Sequence, residues 1–528
     1  MINLSHQRFR RLAANLLLIF IGCLSSGQRV SATDYFLTIG GGYNRSGNQA
    51  SLEANVVFFQ QVLSDKHREP RRHDIYFADG HDPAADLQIV AEKPAKSDSP
   101  ATDLLASLHR RRGQMHVTYR NHRVAEIAGP LDPALIRTAL DALAKTAQKG
   151  DRVIVYVTAH GSAGPRDDPF NTTIDCWNER RITAREFTEL LSKLPSEVPV
   201  VMVMAQCYCG GFGHAIFNGL DESKGLAPQV RAGFFAQQHN LPAAGCRPDI
   251  EHDEEFSSYF WGAMAGRSRN GVPIEGCDVD GDGVISFAEA YAYAVIAGET
   301  IDIPLRTSDV LLRTYSRLTA KADVPLPDAE TKPEADAKTE GKNESAQSAN
   351  PAETPRDDGP QEKPVLSTMT GTLQSFVERG RPVSGRIVTQ LGKTLGFKLE
   401  DDVAAVITAS DEHRRSGGFR GRGGRVGGGR GGRRGGSGRR DLLREVTEKW
   451  PELGDERHWE ESSLLKSDNQ EHLLDELKQL PSWKSYEERL KQMETASDKS
   501  EQHELRAVKF RRLMNTLEAI VLEKNLPL

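Results

Sequence analysis

The chain has 528 residues but few cysteines and no long apolar run. A membrane-spanning helix needs about 20 consecutive apolar residues, and the best candidate, residues 12–24, is too short. The six cysteines include no C-x-x-C pair, because only one residue separates Cys207 from Cys209. We therefore predict no transmembrane segment in the mature chain and no dithiol redox chemistry at this pair.

The first residues have the pattern of a targeting signal. Arg8, Arg10 and Arg11 precede the apolar stretch, and small residues at 30–32 precede Thr33. This order of basic, apolar and small residues is typical of a secretory signal peptide. We predict a signal peptide over residues 1–32 and an exported protein, periplasmic, secreted or on the cell surface.

Cys23 leaves two questions open. It follows Gly22 and could carry a lipid anchor, although Phe20 fits such a site poorly. Without Cys23 the mature chain has an odd number of cysteines, which indicates a free thiol. Cys176 could pair with Cys246 or Cys277, and the sequence does not determine the connectivity.

Two segments of the second half have unusual compositions: one has few large apolar residues, and the other has no acidic residue. Residues 323–364 are rich in Pro, Glu, Asp, Lys, Ser and Thr, which predicts a disordered acidic linker. Residues 366–410 regain apolar residues among several glycines, and we expect weak order there. Residues 414–440 contain ten Arg, thirteen Gly and no acid, which predicts a disordered cationic tract. Residues 441–528 have leucines at helical spacing and predict a small helical region.

The first half has the pattern of an α/β domain, which we place at residues 33–318. Residues 153–159 and 200–206 are Val-rich runs typical of buried parallel strands, and a helix opened by Thr183 and Glu186 lies between them. The expected architecture is a mostly parallel sheet flanked by helices. The polar residues 81–115 predict a long loop or insertion.

Each Val-rich run ends in a residue with acid–base or nucleophilic chemistry. His160 follows the first run and Cys207 follows the second. Ligands of open α/β sheets bind beyond the carboxyl ends of the strands. There an imidazole can activate a thiol and later protonate the leaving group. The amides of Gly161 and Cys207 could stabilise an oxyanion, and Gly210-Gly211 could admit the substrate backbone.

These two segments resemble the His-Gly and Cys boxes of the caspase/metacaspase/legumain clan of cysteine peptidases. The resemblance covers about residues 34–297. It implies a caspase-like fold, an endopeptidase activity on protein or peptide substrates, His160 as general base and acid, and Cys207 as nucleophile, with no cofactor for catalysis. One position departs from the pattern, because family members commonly have Ser or Gly where this chain has Cys209.

Substrate specificity depends on a less distinctive segment. Acidic residues between 249 and 255 follow the region that often shapes the first pocket in this clan, and they include Asp249 and Glu251. Since a buried carboxylate is the natural partner of a cationic side chain, we hypothesise cleavage after Arg or Lys. The alternative is that this acidic run is a solvated surface loop.

Residues 278–289 match the EF-hand calcium loop at every informative position. Positions 1, 3 and 5 are Asp, position 6 is Gly and position 12 is Glu. We predict a structural calcium site that clamps the following helix. The expected ligands are the side chains of Asp278, Asp280, Asp282 and Glu289, the carbonyl of Val284, and Ser286 through water.

The sequence therefore predicts an exported, calcium-clamped cysteine endopeptidase with a Cys–His dyad. Two alternatives stay open: a non-catalytic caspase-like scaffold, and a surface protein that binds a polyanion through the Arg/Gly tract and helical tail. A flexible spacer is an equally good interpretation of that tract. The net charge of −6 averages over these unlike regions, and the sequence does not predict an oligomeric state.

Overall fold

The structure is a computed structural model. It describes residues 33–66, 71–90, 99–109, 117–245, 255–319, 365, 368–416, 437–455, 459 and 462–526. The predicted signal peptide at 1–32, the linker at 323–364, most of the Arg/Gly tract, Cys23, Asp249 and Glu251 lie outside these residues. Among the described residues, each helix is too short or too polar to cross a bilayer.

The α/β domain is built on a six-stranded, mostly parallel sheet, as predicted. Its strands are β1 Asp34–Gly41, β2 Arg71–Phe77, β5 Arg152–Ala159, β8 Val200–Met204, β9 Arg231–Phe235 and β10 Leu305–Arg306. They follow the order β10-β9-β8-β5-β1-β2 across the sheet, and only β10 is antiparallel to its neighbour. Two small two-stranded sheets are formed by β3 Leu87–Val90 with β4 Val117–Arg120 and by β6 Thr173–Cys176 with β7 Arg180–Thr183.

Seven α-helices lie between or after the strands in the described part of this region. They are α1 Ala50–Lys66, α2 Pro100–His109, α3 Pro133–Thr146, α4 Ala184–Leu191, α5 Phe256–Ala265, α6 Phe287–Ala297 and α7 Thr307–Tyr315. Asp132 caps α3 by accepting a hydrogen bond from the Ala134 amide, and Thr183 caps α4 through the Glu186 amide. Because α4 connects the parallel neighbours β5 and β8, the predicted βαβ unit is present.

Residues 81–115, expected to form a polar loop, contain the strand β3 and the helix α2. Leu87, Leu105 and Leu108 are fully buried, and β3 pairs with β4. The elements are short, so polar residues outnumber the few apolar residues that anchor them. The long-loop alternative was therefore wrong for this segment, whereas an insertion that carries its own short elements agrees with the structure.

Residues 366–410, expected to be weakly ordered, form three helices where the structure describes them. These are α8 Leu373–Arg379, α9 Pro382–Leu395 and α10 Val403–Ser416. Phe376, Ile387 and Val403 are essentially inaccessible to solvent. A glycine that indicated weak order instead allows close helix packing, because a Cβ on Gly385 would lie only 3.3 Å from the carbonyl oxygen of Val377 in α8.

The C-terminal region is helical, as predicted, and consists of α11 Ser437–Lys449, α12 Gln470–Lys478 and α13 Trp483–Lys524. The last part of α13 packs Leu513, Leu517 and Ile520 into the same core as the sheet. Leu442 and Leu473 instead join α2 in a second cluster. The main core therefore extends well beyond residue 318.

Candidate active site

The strand ends that carry His160 and Cys207 lie side by side. The parallel strands β5 and β8 pair directly, with Val157 opposite Met204. An ideal Cβ built on Gly161 would lie only 2.4 Å from the carbonyl oxygen of Cys207. Real Cβ atoms do not approach so closely, so only glycine allows the segment after His160 to pack against Cys207.

The imidazole of His160 is oriented by the loop after β1. Its Nε2 lies 2.7 Å from the carbonyl oxygen of Gly47 and 2.8 Å from Oε1 of Gln49, and the ring of Tyr43 packs edge-on against it. Because a carbonyl oxygen can only accept, Nε2 must carry a proton. In the neutral imidazole, Nδ1 therefore has the free lone pair that a general base requires.

Burial lowers the pKa of His160, although the Gly47 carbonyl and the Asp175 carboxylate oppose this shift. The desolvated imidazolium is disfavoured in this environment. At neutral pH the imidazole is thus mostly neutral, which is the protonation state that accepts a proton from a thiol.

Cys207 is partly exposed and is contacted by the segment that follows β9. The Ala243 amide lies 3.2 Å from its Sγ and donates toward it. The Cys207 thiol in turn lies 3.7 Å from the Ala243 carbonyl oxygen, to which it donates. The next residue, Tyr208, has a φ of 60°, a left-handed conformation that is uncommon outside glycine. This sharp turn directly after Cys207 leads into the short 3-10 helix Cys209–Ile216.

Cys209 has the opposite environment. It is fully buried, and its Sγ lies 3.3 Å from the amide and 3.5 Å from the carbonyl of Gln237. Burial also raises the pKa of its thiol. Cys209, where the caspase clan commonly has Ser or Gly, is therefore a packed thiol beneath the loop, away from solvent. Cys176 and Cys277 are buried free thiols, and Cys246 lies outside the described residues.

Gly210 and Gly211 have a different role from the one expected. A Cβ on Gly210 would lie 2.7 Å from the carbonyl oxygen of Gln237, and one on Gly211 would lie 2.4 Å from that of Phe170. The space above these glycines is filled by the protein's own loops. Their lack of side chains serves internal packing, not the approach of a substrate backbone.

The Gly161 amide makes no hydrogen bond to another residue within the described ranges. It is thus available as a donor beside Cys207, as expected of one half of an oxyanion hole. Gly161 itself is partly exposed.

Two residues near His160 were missed from the sequence. Gln49 is a polar residue in the loop after β1, which is the neighbour of β5. Its position after a strand of the same sheet is the same kind of sequence signal that indicates His160. Asp175 forms an isolated bridge with His160, and its amide donates to the His160 carbonyl. Its carboxylate accepts from Ser162 at 2.7 Å and Thr173 at 2.6 Å. Asp175 therefore holds the chain on both sides of Gly161, and no sequence motif indicates it.

The nucleophile side has a second missed support. The Ala244 amide donates to Oδ1 of the buried Asp302 at 2.8 Å. Arg512 of α13 is only 3% exposed and donates to the Asp302 carbonyl at 2.8 Å. The same guanidinium also binds the carbonyls of Val295, Gly298 and Thr300. The last helix thereby fixes the segment that contacts Cys207.

The acidic run near residue 250 is described only at its end. Glu255 is buried, and its carboxylate accepts hydrogen bonds from Asn55 and Ser257, both at 2.5 Å. Burial raises its pKa to about 7. Glu255 is therefore a structural residue of the interior, and the predicted specificity residues Asp249 and Glu251 lie outside the described residues.

The predicted calcium loop brings three carboxylates together. Oxygens of Asp278, Asp280 and Asp282 lie within 4.8 Å of one another. Glu289 accepts from the Val279 amide at 2.5 Å and, in a capping box with Ser286, begins α6. Val284 is exposed. Residues 267–277 before the loop are not helical, so the loop lacks the entering helix of a complete EF-hand.

Comparisons with known proteins add no functional information. No model of a protein family matches the chain, and neither does any curated protein. A crystal structure of protein GSU0716 from Geobacter sulfurreducens is similar over 43% of this chain and 80% of its own, at 11% identity and a TM-score of 0.25. A likeness this weak carries no argument about fold or function.

Proposed function

We propose that the protein is an exported, caspase-like cysteine endopeptidase with Cys207 as nucleophile and His160 as general base and acid. The observation that carries this proposal is the packing of Gly161 against the Cys207 carbonyl, which sets the two strand ends side by side. The proton on Nε2 of His160 adds support, because it leaves Nδ1 as the basic atom.

The reaction follows from these groups. Nδ1 of His160 takes the thiol proton of Cys207, and the thiolate attacks the carbonyl carbon of the scissile peptide bond. The Gly161 amide donates to the oxyanion that forms. The imidazolium then protonates the departing amine, and the carbon–nitrogen bond breaks. Water, deprotonated by the same imidazole, hydrolyses the thioester and restores the free thiol.

We further propose cleavage after Arg or Lys, with Asp249 and Glu251 as the partners of the basic side chain. Asp175 is a poor alternative partner because Ser162, Thr173 and Arg181 already engage its carboxylate. A peptide library that shows preference for Asn or Asp before the cut would contradict this specificity.

We propose a structural calcium ion in the loop 278–289. The convergence of Asp278, Asp280 and Asp282 supports it, since hard oxygen ligands suit calcium. Glu289 would complete the site together with the Val284 carbonyl and a water on Ser286. When calcium binds, Glu289 must exchange some of its present bonds to backbone amides for bonds to the ion.

The experiment that tests the peptidase uses residues 33–528 with calcium under reducing conditions. Intact mass is followed over time in the presence of a mixed peptide library. We expect cleavage by the wild type, none by Cys207→Ala or His160→Ala, and wild-type behaviour from Cys209→Ala. The last variant is the matched control, because its thiol is two residues away but buried.

Absence of cleavage by a folded, calcium-bound wild type would contradict the proposal and favour the scaffold alternative. Retention on an anionic matrix, lost at high salt and on deletion of residues 414–440, would favour the polyanion-binding alternative.

A further inference from the structure

A second group of metal-ligating side chains lies beside the loop that holds His160. Asp79 follows the end of β2, Asp86 precedes β3, and His122 follows β4. Each offers one ligand atom, and these atoms all lie within 4.8 Å of one another. Three separate segments of the chain therefore converge on one point.

The histidine is set up as a ligand. Nε2 of His122 lies 2.8 Å from the carbonyl oxygen of Gly80, which can only accept, so Nε2 carries a proton. In the neutral imidazole, Nδ1 then has a free lone pair and is the ring atom that can bind a metal ion. Metal-binding histidines commonly have their other ring nitrogen bound to a carbonyl in this way.

The group is also short of hydrogen-bond partners. Nδ1 of His122 and Oδ1 of Asp79 are inaccessible to solvent, and neither has a hydrogen-bond partner within the described structure. Buried polar atoms are nearly always satisfied. These two atoms are therefore the positions at which a bound ion would find open ligands.

We propose that Asp79, Asp86 and His122 bind a small divalent transition-metal ion, with Zn²⁺ as the best fit. Two carboxylate oxygens and one imidazole nitrogen suit Zn²⁺ better than calcium, which takes oxygen ligands almost exclusively. Three protein ligands leave a coordination position for water. The alternative arrangement is a proton shared between the two carboxylates, with no metal.

The site is connected to the proposed general base by one residue. Nδ2 of Asn48 donates to Oδ2 of Asp86 at 2.9 Å, while Oδ1 of Asn48 accepts from the Gly42 amide at 3.0 Å. The two neighbours of Asn48, Gly47 and Gln49, are the residues that bind Nε2 of His160. An ion that fixes Asp86 therefore also fixes the segment that orients His160.

The test measures Zn²⁺ binding to residues 33–528 carrying Cys207→Ala, in excess calcium. The alanine removes a competing thiolate, the calcium fills the loop 278–289, and the inactive background separates this result from the peptidase proposal. We expect one Zn²⁺ per chain by calorimetry. Asp79→Asn or His122→Gln should weaken binding by at least about tenfold, the loss typical of even an outer-sphere change.

Two matched controls carry the same chemical changes outside the site. Asp475→Asn changes a carboxylate that is 77% exposed, and His81→Gln changes an exposed neighbour of Asp79; both should leave Zn²⁺ affinity unchanged. Circular dichroism of the metal-free proteins checks that each variant folds. If one site variant does not fold, the Zn²⁺ affinity of the other variant is compared with that of the parent protein.

Hydrogen exchange provides the second readout. Zn²⁺ should slow exchange at the amides of Gly42 and Gln88, which bind Asn48, in the parent but not in Asp79→Asn. The proposal is overturned if the folded parent binds no Zn²⁺, if the site variants bind it as tightly as the parent, or if Zn²⁺ binds without slowing exchange at these amides.

Discussion

The proposed base and the proposed nucleophile are supported by opposite ends of the chain. His160 is held by Gly47 and Gln49, in the loop that follows the first strand. Cys207 is contacted by Ala243, whose neighbour Ala244 is held by Asp302, which in turn is bound by Arg512 in the last helix. Both residues follow adjacent strands, yet different parts of the chain hold them, and these parts meet where Ser51 donates to the Gly245 carbonyl at 2.9 Å.

This difference means that the two halves of the site can be perturbed separately. The support of the base is local and close to the sheet, and Gly47 and Gln49 are both buried. The support of the nucleophile spans about half of the chain, from the partly exposed Ala243 and Ala244 to the buried Arg512. Changes in the C-terminal helices should therefore affect Cys207 while leaving the environment of His160 intact.

The largest effect is expected from Arg512→Ala. The change removes a buried guanidinium and leaves the carbonyls of Val295, Gly298, Thr300 and Asp302 without their donor. Breaking a buried charged interaction of this kind costs about 3–5 kcal/mol of the free energy of unfolding. Chemical denaturation measures the loss, and alkylation of Cys207 by a substrate-like electrophile should change at the same time.

Arg381→Ala is the control for that variant. Arg381 forms an ion pair with Glu523, which lies on α13 as Arg512 does, but the Arg381 side chain is 79% exposed. Its removal should therefore lower the free energy of unfolding by at most about 1 kcal/mol. Arg512→Lys keeps the charge without the planar fork and should fall between the two. Equal stability of Arg512→Ala and Arg381→Ala would refute the role of α13 in supporting the nucleophile.

Calcium should act on the nucleophile side alone. The loop 278–289 begins α6, and the far end of α6 is held by Arg512 through Val295 and Gly298. At a concentration about 100 times its Kd, calcium should add about 2.7 kcal/mol to the free energy of unfolding. Hydrogen exchange should slow at residues 295–302 but not at residues 44–49.

Asp280→Asn should remove most of that calcium-dependent gain, whereas Glu275→Gln, an exposed change outside the loop, should keep it. The separation fails if calcium protects residues 44–49 as strongly as residues 295–302.

The base side should determine the acid limb of activity. Burial lowers the pKa of His160, so activity should begin to decrease only below the ordinary histidine pKa of about 6.5. Below the pKa of His160, kcat/KM should decrease about tenfold per pH unit. The folded state binds fewer protons than the unfolded state between these two pKa values. Stability is therefore fully present above about pH 6.5 and decreases as the pH falls toward the folded pKa.

Denaturation of the wild type and His160→Gln at about pH 7.5 and about pH 5.5 measures this contribution. The glutamine variant should lose less stability on acidification. An identical loss in both proteins would show that other groups cause the acid sensitivity.

Features encoded in short contiguous segments could be predicted from the sequence. Local features depend only on neighbouring residues, and they include the Val-rich strands, the caps Asp132 and Thr183 and the loop 278–289. The pairing of β5 with β8 then places the ends that carry His160 and Cys207 next to each other. The failure at residues 366–410 came from judging glycines without knowing that helices pack against them.

The supports of the site could not be predicted in the same way. Arg512 and Asp302 are separated by 210 residues, and a buried arginine in a charged helix has no local signature. The convergence of Asp79, Asp86 and His122 likewise depends on the pairing of β3 with β4. Of these three residues, only Asp79 follows a strand of the parallel sheet, as His160 does, and could have been predicted from its position.

The smallest predicted effect comes from Gln49, on the base side. Gln49→Ala removes one of two acceptors of the Nε2 proton of His160, while the Gly47 carbonyl still holds the ring. A single hydrogen bond contributes about 0.5–1.5 kcal/mol, so kcat/KM should fall by about twofold to tenfold with calcium-dependent stability unchanged. Gln49→Glu should instead place a carboxylate beside the imidazolium, raise the pKa of His160 and move the acid limb to higher pH. If activity falls at the same acidic pH in Gln49→Glu as in the wild type, the protonation of His160 does not determine that fall. The proposed role of His160 as the general base would then be contradicted.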